Sequence, residues 1–277
     1  MCSSDLFIPG TTICAGSSID IQILTDLFSN FLQARALLGV DQEFAKKVLD
    51  TRARLVPSQV GKDGSLQEWT EDWEQLEANH RHFSHLYGLY PGNVLSLTKT
   101  PQFMNACKAV LEQRGDGGAG WSRAWKVALW ARLHDGNRAE KIWKGYLKEQ
   151  AYPQLFAKCF TPLQVDGTLG LTAGITELLI QSHEGVLELL PALPDDWAEG
   201  IFKGVCARGG FELDLEWKEH KLTSVRILSK SGEVCRIFSP KMNMKVTQSG
   251  RNIPIKRKRE VLEFQTDPGA SYLISIR

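Results

Sequence analysis

The sequence predicts a mainly α chain, built from helix pairs in the manner of an α/α toroid or solenoid and followed by a small antiparallel β-sandwich domain. Three observations predict it. Apolar residues recur at helical spacing in successive segments joined by short turns, as in stacked helical repeats. From Leu193 onward the pattern changes to alternation of apolar and polar residues, the period of a half-buried strand. Between helical segments on both sides, the stretch Glu68 to Asn93 follows neither period.

Composition narrows the class. The chain has 277 residues, 43% hydrophobic and 23% charged, which suffices for a buried core in one large or two ordinary domains. A formal net charge of +1 gives no general attraction to nucleic acid or anionic lipid. No apolar run approaches a membrane span. The N-terminal residues MCSSDLFIPGTTIC lack the basic region and long apolar core of a signal peptide. The six cysteines, Cys2, Cys14, Cys107, Cys159, Cys206 and Cys235, are scattered without metal-binding spacing and are expected to be mostly free thiols. They do not reveal a cellular compartment.

The elements follow in order. Ser17 or Ser18 caps a first helix with Asp20 in its first turn. Ile21, Leu24, Leu27, Phe28, Phe31 and Leu32 form its apolar face, and Gly39 ends it. Asp41 caps a second helix carrying Phe44, Val48, Leu49 and Leu55, stopped before Pro57. Beyond the central stretch, Thr100 and Pro101 open a helix with Met104, Cys107, Val110 and Leu111, broken by RGDGGAG at Arg114 to Gly120. The helix from Trp121 carries three tryptophans, expected to be mostly core residues, with Trp121 at its start, beside a glycine loop, the one expected to face a ligand. Ala139 to Leu147 form another helix. Asp166 precedes a glycine-rich turn leading into an apolar helix from about Leu171 to Ser182. After PALPDDW, the segments FELDLEW, LTSVRIL, EVCRIFS, MKVTQ, VLEFQT and SYLISI read as strands. The turns between them include KEHK, KSGE, QSGRN and DPGA, and KRKRE (Lys256 to Glu260) reads as a solvated hairpin. The expected division is residues 1–192 and 193–277.

The stretch from Glu68 to Asn93 holds two tryptophans, five acidic residues, three histidines, one arginine and two tyrosines. Aromatic faces beside carboxylates, imidazoles and a guanidinium suit a sugar, with its hydroxyl edge and C–H face. Each histidine has an equally good account as a satisfied structural residue. His80, His82 and His85 do not share one face of an extended segment, and no HExxH or CxxC completes a ligand shell, so no metal is expected. Asp166 is accounted for as well by capping or turn formation as by a carboxylate aimed into a cavity as a general base.

Four long motifs carry a resemblance. HRHFSHLYGLYPGN, GWSRAWKVALWARLHDGNRA, QVDGTLGLTAGITELL and HEGVLELLPALPDDWAEGIFKGVCARGGFELDLEWK together resemble glycoside hydrolase family 95 from about Ser18 to Trp217. The resemblance implies a partial (α/α)6 toroid followed by the β domain, and inverting removal of terminal L-fucose from glycans without a metal or other cofactor. By motif match, Asp166 stands where the family has its general base, and Arg81 and His82 where it has its fucose-binding pair. Glu68, Trp69 and Trp121 are placed on the substrate more loosely. Thr168 and Leu169 stand where the family usually has Asn and Phe.

The family's general acid is a glutamate in an S-P-E-N motif, and no such motif occurs in these 277 residues. The chain is therefore expected to be the C-terminal portion of such an enzyme, inactive alone. About seven helices are counted where the full toroid needs about twelve, so Phe28, Phe31, Leu32 and their neighbours are expected to meet water and favour self-association. The expected partner is a fucosylated glycan, with no nucleic acid and no membrane. The competing expectation is a non-catalytic helical remnant that binds a glycan or a partner chain.

Overall fold

The computed structural model describes residues 16–74, 77–159, 163–240 and 244–276. The N-terminal stretch read above, with Cys2 and Cys14, lies outside the described residues. Six α-helices and eleven strands occur among the described residues, and the helices precede the antiparallel sheets. The chain divides into two compact units: Met1–Leu133 with Ile142–Leu171, and His134–Lys141 with Thr172–Arg277.

In the first unit, α1 (Ser18–Leu38) starts where the Ser17 side chain caps the Asp20 amide and pairs with the Asp20 carboxylate. It ends where Gly39 adopts a left-handed φ of 69° and donates its amide to Arg35. A Cβ is disfavoured in that conformation, which is why glycine stops the helix. The helix buries only Gln22, whereas Leu24 and Leu27 are exposed and Phe28, Phe31 and Leu32 are half-buried. Gln22 goes inward because it satisfies backbone that has no ladder partner. Its amide nitrogen donates to His85 O at 2.8 Å and its oxygen accepts from Gly88 N at 2.7 Å.

Helix α2 (Gln42–Arg52) follows a very short turn and meets α1 through an edge-on Phe31–Phe44 contact, 5.3 Å between centroids. Asp41 occupies the N-cap but makes no side-chain cap bond, because its backbone is left-handed at φ 53°. The residues from Glu68 to Asn93 contain no α-helix or strand among those described, only the single 3-10 turn Ser84–Leu86. Pro101–Phe103 forms a 3-10 turn that leads into α3 (Met104–Arg114). Next comes α4 (Gly120–Arg132), buried continuously from Ala124 to Arg132. A helix apolar over so much of its surface belongs in a core. The last helices are α5 (Gly136–Glu149) and α6 (Val165–Leu179).

Two boundaries differ from the sequence reading. Helix α5 begins three residues earlier, with Asp135 Oδ1 accepting from Arg138 N at 2.9 Å. Helix α6 begins at Val165, so Asp166 stands inside the helix rather than ahead of a turn, and Gly167 and Gly170, which read as that turn, are helical. These glycines permit close packing instead. A Cβ on Gly167 would lie 2.8 Å from Ala157 Cβ and 2.9 Å from Gly120 C, too near for any side chain.

In the second unit, β1 (Ile180–Gln181) pairs with β2 (Glu188–Leu189). Six strands make the main antiparallel sheet: β3 (Gly200–Ala207), β4 (Phe211–Lys218), β5 (Lys221–Ser229), β7 (Met244–Gln248), β8 (Arg251–Asn252) and β11 (Ser271–Ile276). Their order across the sheet is β3-β4-β5-β11-β7-β8. A smaller antiparallel sheet has the order β6-β10-β9, with β6 at Cys235–Phe238, β9 at Lys256–Lys258 and β10 at Val261–Phe264. Leu213, Leu215, Val225 and Ile227 from the large sheet share one core with Ile237, Leu262 and Phe264 from the small one. The hairpin read in KRKRE is β9 turning into β10, with β9 exposed throughout.

Strand β3 escapes the sequence pattern for a physical reason. Its register against β4 shifts between Phe202 and Val205, where Gly204 takes φ 70° and donates its amide to Asp214 Oδ1 at 2.9 Å. An extra residue at a bulge breaks the period of two. Cys107, Cys159, Cys206 and Cys235 are free thiols. No described helix is long and apolar enough to cross a membrane.

Candidate active site

An irregular segment needs side chains to hold it, and the Glu68–Asn93 stretch is held by buried polar groups. Glu68 is 5% exposed. Its carboxylate accepts from Ser84 Oγ at 3.1 Å and lies 3.4 Å from His85 Nδ1 and 3.6 Å from Arg114 Nη2. Burial pushes the Glu68 carboxyl up, but His85, Arg114 and Ser84 together outweigh that and hold it below its ordinary value. Arg114, the last residue of α3, is 3% exposed and donates through Nη1 to Glu77 O at 2.7 Å and Ala78 O at 3.2 Å.

The three histidines separate in role. His85 is fully buried against Glu68. His80 is also buried, and its Nδ1 accepts from His82 N at 3.2 Å while the two rings meet edge-on with centroids 5.2 Å apart. Arg81 is exposed and His82 half-buried, and the two stand in sequence between two buried histidines. Among the described residues, no group of three or more His, Cys, Asp or Glu is arranged to hold a metal ion.

Phe83 carries the geometry onward to α4. Its ring stacks on Trp125 at 4.7 Å, and Trp125 stacks on Trp121 at 5.7 Å. The Trp125 indole donates to Tyr90 O at 2.8 Å. Trp121 is half-buried at the first turn of α4, and its amide donates to Gln164 Oε1 at 2.8 Å. A Cβ on Gly170 would come 2.7 Å from Trp121 Cζ3, so α6 lies directly on the indole. The aromatic stack thereby runs from the Arg81–His82 loop to the helix that carries Asp166.

Asp166 is exposed in the first turn of α6 and accepts from its neighbour Gly167 N at 2.9 Å. A carboxylate in a first turn is favoured by the partial positive charge of the helix start. Below it, Thr168 Oγ1 accepts from Ala157 N at 2.8 Å. Tyr146 is fully buried, and burial raises its hydroxyl, opposed by the nearby Thr168 side chain and reinforced by the Asp166 charge. Trp69 is half-buried and pairs with Trp73 at 6.1 Å, while residue 17 bridges residue 69 in antiparallel fashion.

Two residues of this region were not singled out from the sequence. Arg114 had been read only as the start of a helix-breaking loop. Lys126 lies within the helix read from Trp121 and draws no notice there, yet it is 1% exposed and donates to Gly117 O at 2.8 Å and Arg114 O at 3.2 Å. Its ammonium sits 5.3 Å from the Phe83 ring centre. Burial, partly opposed by Asp116, pushes Lys126 down to about 8. The available signal was a lysine flanked by Trp125 and Val127 in a helix with apolar residues on most sides.

Comparison with known proteins decides the family. The glycosyl hydrolase family 95 catalytic domain matches residues 8–179, and the glycoside hydrolase family 95 C-terminal domain matches residues 181–274. The chain belongs to glycoside hydrolase family 95. It is similar to alpha-L-fucosidase 2 of Arabidopsis thaliana, 38% identical over 231 residues, which covers 79% of this chain and 27% of that protein. It is also similar to probable alpha-fucosidase A of Aspergillus oryzae, 28% identical over 252 residues, covering 77% of this chain and 35% of that protein. The corresponding Aspergillus niger protein is 28% identical over 220 residues, covering 72% of this chain and 28% of its own length. The chain therefore spans about a third or less of the curated relatives it matches.

Proposed function

We propose that this family 95 chain carries the water-activating side of an inverting α-L-fucosidase that removes terminal L-fucose from glycans. One observation carries the reading: Asp166 stands exposed in the first turn of α6, on the helix that packs against the half-buried indole of Trp121. A carboxylate beside an aromatic face can take a proton from water while the sugar ring rests on the indole. In this reading Arg81 and His82 bind the fucose hydroxyls, and Trp69 and Trp121 flank the sugar.

Inverting hydrolysis needs two carboxyl groups about 6.5–9.5 Å apart, one protonating the leaving oxygen and one activating water on the opposite face. Asp166 takes the second role. The first is assigned to no residue of these 277, and the proposed helical architecture is correspondingly part of an (α/α)6 toroid over residues 1–192, with residues 193–277 as the β domain. The names of the three relatives support fucoside as the substrate class.

Leaving-group chemistry provides the test. Fluoride departs without protonation, so α-L-fucosyl fluoride needs only the base, whereas 2′-fucosyllactose needs both groups. The 277-residue protein should hydrolyse the fluoride, and proton NMR during the first turnovers should show β-L-fucose as the initial product. Initial release of the α anomer, or no hydrolysis above the buffer rate, contradicts the proposal. Binding of the fluoride without hydrolysis would favour a non-catalytic glycan-binding remnant. The exposed Leu37 and Phe44 on the α1–α2 hairpin support that second reading in its partner-binding form.

A further inference from the structure

We infer that Glu68 and Arg114 form a buried clamp that positions Arg81 and His82, and that Glu68 serves the site through this clamp and not by touching sugar. The inference rests on the fucoside-binding reading above and assigns a new role within it.

The geometry is that of a loop tied at both ends. On its entering side, Arg114 Nη1 donates to the carbonyls of Glu77 and Ala78 at 2.7 and 3.2 Å. On its leaving side, the Glu68 carboxylate accepts from Ser84 Oγ at 3.1 Å and sits 3.4 Å from His85 Nδ1. The two anchors are joined to each other by the 3.6 Å approach of Arg114 Nη2 to Glu68 Oε2. Arg81 and His82 lie between the anchors, in backbone with no strand or helix of its own. Both clamp side chains are almost wholly out of solvent, at 3% for Glu68 and 0% for Arg114. A charge so buried is stable only while its partner is present, so the pair holds as a unit.

This arrangement explains the residue types. Arginine presents several donors in a fixed planar fork and can bind two backbone carbonyls with one edge while facing a carboxylate with the other. Lysine has one ammonium point and cannot span both. A glutamine at residue 68 keeps the shape and the acceptor for Ser84 but loses the charge that holds Arg114. Buried this deeply, Glu68 has no open face for a ligand, whereas Arg81 is exposed and His82 half-buried.

The test uses the 277-residue protein and free L-fucose as the probe. Calorimetry gives Kd and stoichiometry for wild type, Glu68→Gln, Arg114→Lys and Arg81→Ala, and hydrogen exchange follows the amides of His80 and His82. Both clamp variants should weaken L-fucose roughly ten- to a hundredfold at unchanged stoichiometry, the scale that a misplacement of about 1 Å produces at a site. The His80 and His82 amides should exchange faster while those of β4 and β5 keep their wild-type rates. Kd within twofold of wild type in both clamp variants overturns the clamp. So does a fall in stoichiometry at unchanged Kd, which reports only lost folded protein. If Arg114→Lys does not fold, Glu68→Gln decides alone. If wild type binds no L-fucose, the fucoside reading fails, and unchanged His80 and His82 exchange in the variants then overturns the clamp separately.

Discussion

The indole of Trp121 occupies the space that a side chain on Gly170 would need, with Cζ3 only 2.7 Å from the position of a Cβ there. In a helix interior, replacing glycine by alanine ordinarily stabilises by about 1 kcal/mol. Here overpacking opposes that gain by about 1–3 kcal/mol and must be relieved by moving the ring or the helix. Gly170→Ala should therefore lower the melting temperature, change tryptophan emission and weaken L-fucose binding. A stabilised variant with unaltered emission would show that the ring does not rest on α6.

The charge on Glu68 should be visible in acid. Burial alone would raise its carboxyl, but His85, Arg114 and Ser84 hold it below its ordinary value of 4.5. A carboxyl depressed in the folded state contributes stability that is complete above the unfolded value and is lost as pH falls through the folded one. The melting temperature of wild type should thus fall more steeply below about pH 4.5 than that of Glu68→Gln. At neutral pH the variant should melt lower, because Arg114 keeps a buried charge without its partner. Parallel pH profiles would contradict the assigned ion pairing.

Lys126 should act with the same sign in an alkaline window. Burial pushes its ammonium from an ordinary 10.5 down to about 8. Between those values the unfolded chain binds more protons than the folded one, so this group makes stability rise with pH. Relative to Lys126→Met, wild type should gain stability from about pH 8 to 10.5. A difference that stays flat across that range would mean that the ammonium is not desolvated.

Helices α1 and α2 leave much apolar surface in water. Leu27 is 57% exposed, Leu37 88% and Phe44 55%. Contiguous exposed apolar surface favours association. Light scattering on the 277-residue protein should give a mass above that of the monomer, falling when Leu27 and Phe44 are both changed to lysine. A monodisperse wild-type monomer would remove this surface as a driver of self-association.

What the sequence made legible followed from period. Ser17, Gly39 and the spacing between them delimit α1, and the alternation in Phe211–Lys218 marks β4. Glycine misled where its purpose was proximity: Gly167 and Gly170 suggest a turn, yet they let α6 approach Gly120 and Trp121. Strand β3 was hidden by the bulge at Gly204. In the site, the aromatic and acidic density around Glu68 was readable, and family motifs pointed to Arg81, His82 and Asp166. Arg114 and Gln22 were not readable, because their partners are backbone groups of a loop with no period of its own. Glu68 was expected on the substrate, and its burial suggests the supporting role proposed above.

The central claim is that Asp166 activates the attacking water, and the rate of α-L-fucosyl fluoride hydrolysis by the 277-residue protein tests it most directly. General base assistance is worth about 10²–10⁴-fold. Asp166→Asn, which keeps size and polarity, should lower the rate by at least about 100-fold. The variant should retain the L-fucose affinity and melting behaviour of wild type. A variant rate within a few-fold of wild type would contradict the assignment of Asp166 as the base.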